Sequence, residues 1–317
     1  MSNKALVSIC IPCYNAANYL TDTLNALLKQ RYSYIEVIVA DNLSNDGSAE
    51  IISSFSRKDP RIKYVNCKKK GAAAARNYAF QESKGEYIIF LDADDWVNEH
   101  YVSELLLTCN RTKDCIVACA YQRFFNNDVN KVLVESLATW KNLKPIEWLL
   151  IDNGKGLGMM QSGMFLIPRN LLLKAGGWNE ELSLIDDFEF FPRLLLTAEK
   201  ILFCKQAILY YRSGNRNTLS GNSSSKSLHS VYLALQLTTQ RVLKEENSLR
   251  AKAIMANYWA LWAYHFYPKE KLLLKEAQKS VWMLSGKKLS PPQSGLSKKI
   301  SKIFGWKLTK RIKDILF

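Results

Sequence analysis

Three polar segments of the chain contain residues whose types and spacing suit chemistry. They are residues 11–15 (IPCYN), 90–96 (FLDADDW) and 185–193 (IDDFEFFPR). The middle segment places Asp92, Asp94 and Asp95 directly after an apolar run, where carboxylates serve no packing purpose. Buried like charges repel one another unless a cation lies among them. The sequence therefore predicts a site for a divalent metal that carries a diphosphate group.

The aspartates follow a segment that is predicted to be a strand. Residues 86–91 are a short run of β-branched and aromatic side chains, preceded by a lysine–glycine turn signal. Alternation along an extended chain puts Asp92 and Asp94 on the same side. Mg²⁺ and Mn²⁺ take carboxylate oxygens and keep positions for substrate phosphates. As an alternative, Asp94 or Asp95 caps a helix over residues 98–109, for which one aspartate would suffice.

The residues before this strand predict alternating strands and helices. Strands are expected over residues 6–12, 36–41 and 61–67, with helices over 19–30 and from 71 onward. This alternation predicts an α/β fold with a doubly wound, mostly parallel sheet. Ligands of such sheets bind beyond the carboxyl ends of the strands. The residues expected at that edge are Tyr14, Asn15, Asp41, Asn42, Asp92, Asp94 and Asp95.

Six motifs in this order resemble the family 2 glycosyltransferases over about the first 220 residues. The motifs are VSICIPCYN, VIVADNLSNDGS, KGAAAARNYAF, GEYIIFLDADDW, GGWNE and IDDFEFFPRL. The resemblance implies the GT-A fold, which is Rossmann-like. It also implies transfer of a sugar from a nucleotide-diphospho-sugar donor, most often UDP-linked, with inversion at the anomeric carbon.

Several residues gain candidate roles in donor binding from this resemblance. Pro12, Tyr14 and Asn15 look like the loop that packs on the base and ribose, and Asp41 looks like the acceptor of a hydrogen bond from a uracil-type imide. Arg76 would add a charged contact on the nucleotide side. Simpler alternatives are that Asn15 caps a helix, that Asp41 forms an Asx-turn, and that Arg76 pairs with a surface acid.

The sequence Asp92-Ala93-Asp94 resembles the DxD signature of the family. In that signature the first aspartate typically contacts the ribose and the last one holds the metal. Asp94 is therefore expected to be the principal metal ligand, with Asp92 beside it. The implied cofactor is a divalent metal, Mn²⁺ or Mg²⁺.

The catalytic base is expected near the third polar segment. An acceptor hydroxyl is a poor nucleophile at neutral pH, so a positioned carboxylate must take its proton. Asp187 aligns with the aspartate that acts as the general base in the family. Repulsion from Asp186 and the flanking phenylalanines would raise the pKa of Asp187. Asp186 and Glu189 are interpreted as orienting or structural, and either aspartate is also a plausible helix N-cap.

Two features depart from the pattern of the family. Many relatives carry a histidine shortly after the arginine at the position of Arg212, where this chain has none; Arg216, or the hydroxyls of Thr218 and Ser220, would contact the diphosphate instead. The other departure is the Asp186-Asp187 pair, where Glu-Asp is commoner. It changes the reach of the first acid but not its charge.

Charge divides the chain into two parts. The whole chain carries 44 Lys and Arg against 29 Asp and Glu, a net charge of +15. Residues 226–317 contain 18 basic and 5 acidic residues, so residues 1–225 are nearly neutral. We therefore expect a GT-A domain over residues 1–225 and a helical basic region over residues 226–317.

The last segment, residues 296–317, predicts an amphipathic helix with lysines on its polar face. Its expected apolar face consists of Leu296, Ile300, Ile303, Phe304, Leu308, Ile312 and Ile315. Such a helix favours an in-plane anchor on an anionic membrane surface. The alternative is a helix that folds back on the catalytic domain with its lysines in solvent. The chain has neither an apolar stretch of the roughly 20 residues that a spanning helix needs nor a signal peptide, so it is predicted to be cytoplasmic and peripheral on the inner face of the plasma membrane.

Cysteine usage agrees with a reducing compartment. The chain has seven cysteines, and its only CxxC, Cys10 and Cys13, lies in the first predicted strand, which favours structural thiols over a zinc site.

The combined prediction is a metal-dependent inverting glycosyltransferase that extends a lipid-linked or surface glycan in bacterial polysaccharide assembly. A sugar-nucleotide nucleotidyltransferase is an alternative, although it would need a glycine-rich triphosphate loop that residues 7–18 lack. An inactive basic protein that binds nucleic acid or lipid is another. No nucleic-acid partner is expected, because the positive charge lies in the amphipathic tail without a recognisable nucleic-acid-binding motif.

Overall fold

A computed structural model describes residues 4–125, 128–133, 136–154, 160–214, 224–292 and 295–316. Within this part of the chain, one sheet is flanked by helices and followed by further helices. The strands are β1 (Val7–Cys13), β2 (Ile35–Asp41), β3 (Ile62–Asn66), β4 (Tyr87–Phe90), β5 (Trp96–Val97), β6 (Cys115–Phe125), β7 (Asp128–Leu133), β8 (Phe165–Pro168) and β9 (Lys200–Ser213).

The helices of the sheet region alternate with its strands, whereas the last four follow it. They are α1 (Ala17–Leu28), α2 (Ser48–Lys58), α3 (Ala72–Gln81), α4 (Tyr101–Cys109), α5 (Pro145–Gly154), α6 (Arg169–Ala175), α7 (Asp186–Leu195), α8 (Ser225–Glu245), α9 (Leu249–Phe266), α10 (Lys271–Ser285) and α11 (Gly295–Leu316). A short 3₁₀ helix, Ser162–Met164, precedes β8.

The strand order is β3-β2-β1-β4-β8-β6-β9-β5, with β7 paired to β6. The first four strands run parallel, as the alternation of strands and helices predicted. Beyond β4 the sheet is mixed, because β8 runs antiparallel to both β4 and β6, while β6 and β9 are parallel. The residues of β1, β2 and β4 are almost all buried, since helices cover both faces of a parallel sheet.

The predicted helix after the three aspartates exists as α4, but it begins later than expected. Its N-cap is His100, and no side chain makes the capping hydrogen bond. Neither Asp94 nor Asp95 therefore serves as a helix cap, which removes the simpler explanation for their presence.

The C-terminal helices pack against the region of α7. Helix α8 contacts α7, α9 contacts both α8 and α5, and α10 packs along α9. Helix α8 begins at Ser225, next to the predicted boundary between the two regions. No helix within the described ranges combines the length and apolar character needed to cross a membrane.

The terminal helix α11 differs from a single straight helix at Gly305. That glycine has φ 77° and ψ 155°, which breaks the helical path into two parts. Trp306 packs against the ring of Tyr267 with centroids 5.5 Å apart, and Thr309 is buried. The second part of α11 therefore lies against the end of α9. The side chains of Leu296 and Ile315, two members of the predicted apolar face, are outside the described residues.

The outer side of α11 remains apolar and basic. Four of the predicted apolar positions are exposed, with Ile303 at 76% and Phe304 at 60%. The other two are Leu308 and Ile312. On the inner side, the Lys310 ammonium lies 4.7 Å from the centre of the Tyr264 ring. The helix thus packs against the protein, as the folded-back alternative expected. It also keeps an exposed apolar surface, which the membrane anchor would need.

Candidate active site

The carboxyl ends of β1, β2 and β4 place the predicted site residues along one edge of the sheet. Cys13 at the end of β1 pairs in register with Asp41 at the end of β2, and β4 runs parallel on the other side of β1. Asp92 follows β4 after one buried leucine. Parallel pairing therefore brings together polar residues that lie up to about 80 positions apart in the sequence.

The loop after β1 is tied to the loop after β2. Asn15 has a left-handed backbone with φ 49°, its side-chain oxygen accepts a bond from the Asn45 N–H at 2.9 Å, and its own N–H donates to the Ser44 hydroxyl at 3.0 Å. It does not cap α1, whose N-cap is Ala16 without a side-chain bond. Asn15 thus shapes the loop, while Tyr14 is 50% exposed.

Pro12, the remaining predicted member of this loop, is half-buried within β1. The exposed residues of the loop are Tyr14 and Asn15.

Asp41 is a buried acid with an unsatisfied oxygen. Only 3% of the residue is exposed, and its Oδ1 atom accepts no hydrogen bond from the described residues. A buried acceptor without a donor is costly, since it has lost its hydration. An N–H group of a ligand would satisfy it, as the prediction of a base contact requires.

The neighbouring Asn42 has a structural role that the sequence did not reveal. Its amide nitrogen donates to the carbonyls of Cys67 at 3.0 Å and Lys69 at 2.7 Å. Its amide oxygen accepts from the Gly71 N–H at 2.8 Å. Asn42 therefore fixes the loop that leads into α3, and with it the helix that carries Arg76.

Arg76 joins two acidic segments that are far apart in the sequence. Its Nη2 atom donates to Asp92 Oδ1 at 2.9 Å, and its Nη1 atom donates to Asp186 Oδ2 at 3.0 Å. The guanidinium also lies 4.4 Å from the centre of the Trp178 ring. Arg76 is buried and paired with these acids, so it does not form the surface ion pair that was the simpler alternative.

Asp92 is held by protein donors on both of its oxygens. Besides the bond from Arg76 to Oδ1, the hydroxyl of Ser162 donates to Oδ2 at 2.8 Å. Each carboxylate oxygen has a second lone pair, so a ligand contact remains open. The orientation of Asp92 is nevertheless set by the protein alone.

Asp94 is half-buried and Asp95 is buried next to Arg212. Burial and repulsion from Asp92 raise the pKa of Asp94 to about 6, against the favourable charge of Arg212. Asp95 is fully buried, accepts the Arg212 N–H at 3.0 Å, and has its pKa raised by burial and by Asp94. The Arg212 side chain donates from Nε to the Asp94 carbonyl at 2.9 Å, which holds the end of β9 against this turn.

The Asp94 carboxylate is suited to coordinate a divalent metal ion. A cation beside that carboxylate would offset the burial and repulsion that raise its pKa. Mg²⁺-type ions need only one or two protein carboxylates when phosphates supply the remaining oxygens. The described residues contain no cluster of three or more His, Cys, Asp or Glu side chains that could hold a metal ion.

Asp187 lies in the first turn of α7, directly after Asp186, the acid that pairs with Arg76. Burial, followed by repulsion from Asp186, raises its pKa to about 7. Its Oδ1 atom accepts the Phe188 N–H at 2.8 Å. The N-cap of α7 is Ile185, so neither aspartate is the cap that the alternative supposed.

The segment before α7 is locked to α3 by a side chain that sequence reasoning missed. The amide of Asn77 accepts from the Trp178 N–H at 2.7 Å and donates to the Trp178 carbonyl at 2.9 Å and to Glu180 at 2.7 Å. A Cβ atom on Gly177 would lie 2.6 Å from the Asn77 oxygen. The glycine thus permits the close approach that lays the indole of Trp178 over Arg76.

Glu189 completes this arrangement from within α7. Its carboxylate receives two bonds from Arg193, at 2.7 and 2.8 Å. The same guanidinium donates to the carbonyls of Ala175, Gly176 and Gly177. Glu189 is therefore structural, as expected. Arg216, Thr218 and Ser220, the predicted diphosphate contacts, lie outside the described residues.

A family model described as Glycosyl transferase family 2 matches residues 8–174. The chain belongs to this family. Two curated relatives are similar to this chain. The chain is 30% identical to the glycosyltransferase GlyG of Streptococcus pneumoniae over 65% of this chain and 70% of that protein. It is 37% identical to the putative teichuronic acid biosynthesis glycosyltransferase TuaG of Bacillus subtilis, over 34% of this chain and 44% of that protein.

The fold of this family 2 glycosyltransferase is also that of a solved structure. A crystal structure of TarS from S. aureus in complex with UDP-GlcNAc superimposes with a TM-score of 0.71 at 18% identity, covering 98% of this chain and 92% of that chain. The similarity confirms the predicted GT-A fold. Within it, the edge that carries Asp41, Asp92 and Asp94 is the carboxyl edge of the parallel strands.

Proposed function

We propose that this glycosyltransferase moves a sugar from a nucleotide-diphospho-sugar to a glycan acceptor in one displacement that inverts the anomeric carbon. The observation that carries the proposal is the Arg76 bridge. It joins the acidic turn after β4 to the acidic start of α7, 110 residues from Arg76 along the chain. The Arg76 guanidinium thereby lies between Asp92, next to the expected metal ligand Asp94, and Asp186, next to the expected base Asp187.

The nucleotide would lie over the ends of β1 and β2. The unsatisfied Oδ1 atom of buried Asp41 suits the imide N–H of a uracil base, and the exposed ring of Tyr14 offers a surface for the base or ribose. The UDP-GlcNAc bound to TarS, a protein with the same fold, supports a UDP-linked donor. Pro12 and Asn15 would shape this contact through the loop.

The diphosphate would lie near the turn after β4. Asp94, with Asp92 beside it, would hold Mn²⁺ or Mg²⁺, which when bound supplies Lewis-acid stabilisation of the departing nucleotide diphosphate. Asp92 is oriented by Arg76 and Ser162, so this part of the site is organised before the donor arrives.

Asp187 would act as the base. Its carboxylate takes the proton of the acceptor hydroxyl while the oxygen bonds to the anomeric carbon and the bond to the diphosphate breaks. A pKa of about 7 leaves a large share of Asp187 ionised at neutral pH and gives it more affinity for a proton than an ordinary aspartate has. Asp186, held by Arg76, fixes the neighbouring backbone.

The Asp187→Asn variant tests the role of the base. We expect turnover to fall by about a hundredfold or more, the typical scale of base catalysis, while donor binding measured by calorimetry is kept. Asp22→Asn, on the exposed side of α1, is the control and should leave both quantities unchanged. Loss of donor binding in the Asp187 variant would contradict the assignment.

The Asp94→Ala variant tests the metal site. We expect it to abolish the Mn²⁺-dependent hydrolysis and transfer of the donor sugar while the protein stays folded. Full activity of the wild-type enzyme in excess chelator would contradict metal dependence. A panel of nucleotide sugars assayed with Mn²⁺ and with Mg²⁺ identifies the donor.

The acceptor would be a lipid-linked or surface glycan of bacterial polysaccharide assembly. The similarity to TuaG, whose name refers to teichuronic acid biosynthesis, supports this class. We assign the transfer reaction to residues 1–225. Residues 226–317 would bring the enzyme to the cytoplasmic face of the membrane, where such acceptors lie.

The membrane contact would be made by residues 296–317. Ile303, Phe304 and Leu308 are exposed on α11, and basic residues such as Lys307 and Arg311 are near them in the sequence. An exposed apolar surface bordered by lysines suits anionic lipid headgroups.

Substitution tests this contact better than deletion, because removing α11 would also uncover the rings of α9 that Trp306 covers. The double variant Ile303→Ser, Phe304→Ser should sediment less with anionic vesicles than the wild type does. Binding to zwitterionic vesicles should be weak for the wild type and for the double variant. Leu249→Ser removes a residue that is 85% exposed on another helix and serves as control. Equal partitioning of all three proteins would contradict the anchor.

A further inference from the structure

The turn that presents Asp187 contains a conformation that its sequence disfavours. Ile185, the residue before α7, has φ 51° and ψ 38°, which is the left-handed region. A β-branched residue there is an outlier, because its Cβ atom crowds the following carbonyl. Such a conformation persists only where the surrounding structure holds it in place.

A serine from α8 holds the residues before this turn. The Ser230 hydroxyl accepts the N–H of Ser183 at 2.8 Å and the N–H of Leu184 at 3.2 Å, and it lies 3.3 Å from the Leu184 carbonyl, to which it donates. Ser230 is 5% exposed, so water does not replace these bonds. One buried hydroxyl thus satisfies the backbone that leads into Ile185.

The residues after the turn are held by the same C-terminal helices. The Thr238 hydroxyl, two turns further along α8, donates to the Phe188 carbonyl at 2.8 Å. The ring of Phe188 lies 4.4 Å from the ring of Tyr258 on α9. The turn with Asp187 is therefore fastened on both sides by helices that lie beyond residues 8–174, the part matched by the family model.

We propose that Ser230 is a positioning residue, which holds the left-handed turn at Ile185 and thereby directs the Asp187 carboxylate towards the acceptor. The inference rests on the proposed role of Asp187 as the base. Without Ser230, the backbone of residues 183–184 loses its acceptor and the disfavoured turn relaxes. The carboxylate then moves with the first turn of α7, although every residue near the reacting atoms is unchanged.

The test compares Ser230→Ala with Ser227→Ala. Both serines are buried on α8, but the hydroxyl of Ser227 lies 2.8 Å from that of Ser224 and contacts the cap of its own helix. We expect Ser230→Ala to lower kcat by about ten- to hundredfold, since misplacement of a catalytic group by about 1 Å costs on this scale. KM for the donor should stay within about twofold, because the donor residues are on other elements. Ser227→Ala should leave both constants unchanged.

Rescue distinguishes positioning from a general loss of stability. Glycine adopts the left-handed region without strain, so Ile185→Gly removes the need for restraint. In the Ser230→Ala background it should restore part of kcat, although it removes apolar packing. If Ser230→Ala does not fold, Ser230→Cys keeps the size and a weak donor at this position, and it should show the same selective loss of kcat to a smaller degree.

The outcomes separate this inference from the proposed function. If Asp187→Asn abolishes turnover but Ser230→Ala and Ser230→Cys retain full kcat, Ser230 is not a positioning residue and the base assignment stands. The inference is also wrong if Ile185→Gly lowers the kcat of Ser230→Ala further instead of raising it. If Asp187→Asn keeps full turnover, the proposed base and the inference both fail.

Discussion

Asp187→Asn is expected to make the protein more stable above neutral pH while it removes activity. The pKa of Asp187 rises from 3.8 to about 7, mainly through burial and then through repulsion by Asp186. The folded protein therefore binds this proton more tightly than the unfolded chain does. Stability falls as the pH rises between these two values, and the loss persists at higher pH. Asparagine carries no charge and keeps an oxygen for the Phe188 N–H.

The expected magnitude follows from the same values. A pKa that moves from 3.8 to about 7 corresponds to about 4 kcal/mol of differential stability as an upper bound. Asp187 is only half-buried, so solvent screening reduces this amount. We expect the free energy of unfolding of the variant to exceed that of the wild type by about 2 kcal/mol at pH 8 and by about zero at pH 4.

Urea unfolding followed by tryptophan fluorescence at pH 4, 6 and 8 measures the difference. Asp22→Asn, an exposed carboxylate, is the control and should show little change with pH. The reasoning is refuted if Asp187→Asn has the same effect at all three pH values or destabilises the protein at pH 8. A stabilised but inactive variant would show that the site retains a costly carboxylate for function.

Three further substitutions test other parts of the site. Arg76→Met should lower the free energy of unfolding by about 3–5 kcal/mol in urea unfolding, because it leaves two acids without their buried partner; adding Asp186→Asn should recover part of the loss. Asp41→Asn should raise KM for the nucleotide sugar about tenfold at unchanged kcat in steady-state assays, since it weakens a bond to a charged acceptor. Gly177→Ala should lower the free energy of unfolding by about 1–3 kcal/mol, because the new Cβ lies 2.6 Å from the Asn77 oxygen.

The sequence predicted the parallel half of the sheet because its signals are local. The run at residues 86–91 became β4, Tyr87–Phe90, and the segment at residues 36–41 became β2, Ile35–Asp41. Once those strands are parallel, Asp41 and Asp92 must lie at one edge. Their roles as ligand contacts remain predictions.

The pairing of Arg76 with Asp186 could not be predicted, because it depends on packing across 110 residues of sequence. A weak signal exists in retrospect. The arginine follows four alanines at the start of α3, three of which are buried together with it. An arginine on such a surface needs buried acids. The break in α11 had a clearer signal, since Gly305 interrupts the helical pattern.

A single arginine links the two acidic segments of the site. Arg76 compensates the charges of Asp92 and Asp186 directly, through one hydrogen bond to each. Asp94 and Asp187, the next acid on either side, receive no such bond from it, and burial with repulsion raises the pKa of both. These bonds fix Asp92 and Asp186 in place. The charges of Arg212 and Arg76 offset only part of the rise in the pKa of Asp94 and Asp187, so these two carboxylates gain from a nearby cation or proton. We infer that Asp94 is the position for the metal and Asp187 the position for the proton, and that Arg76 links the two segments that carry them.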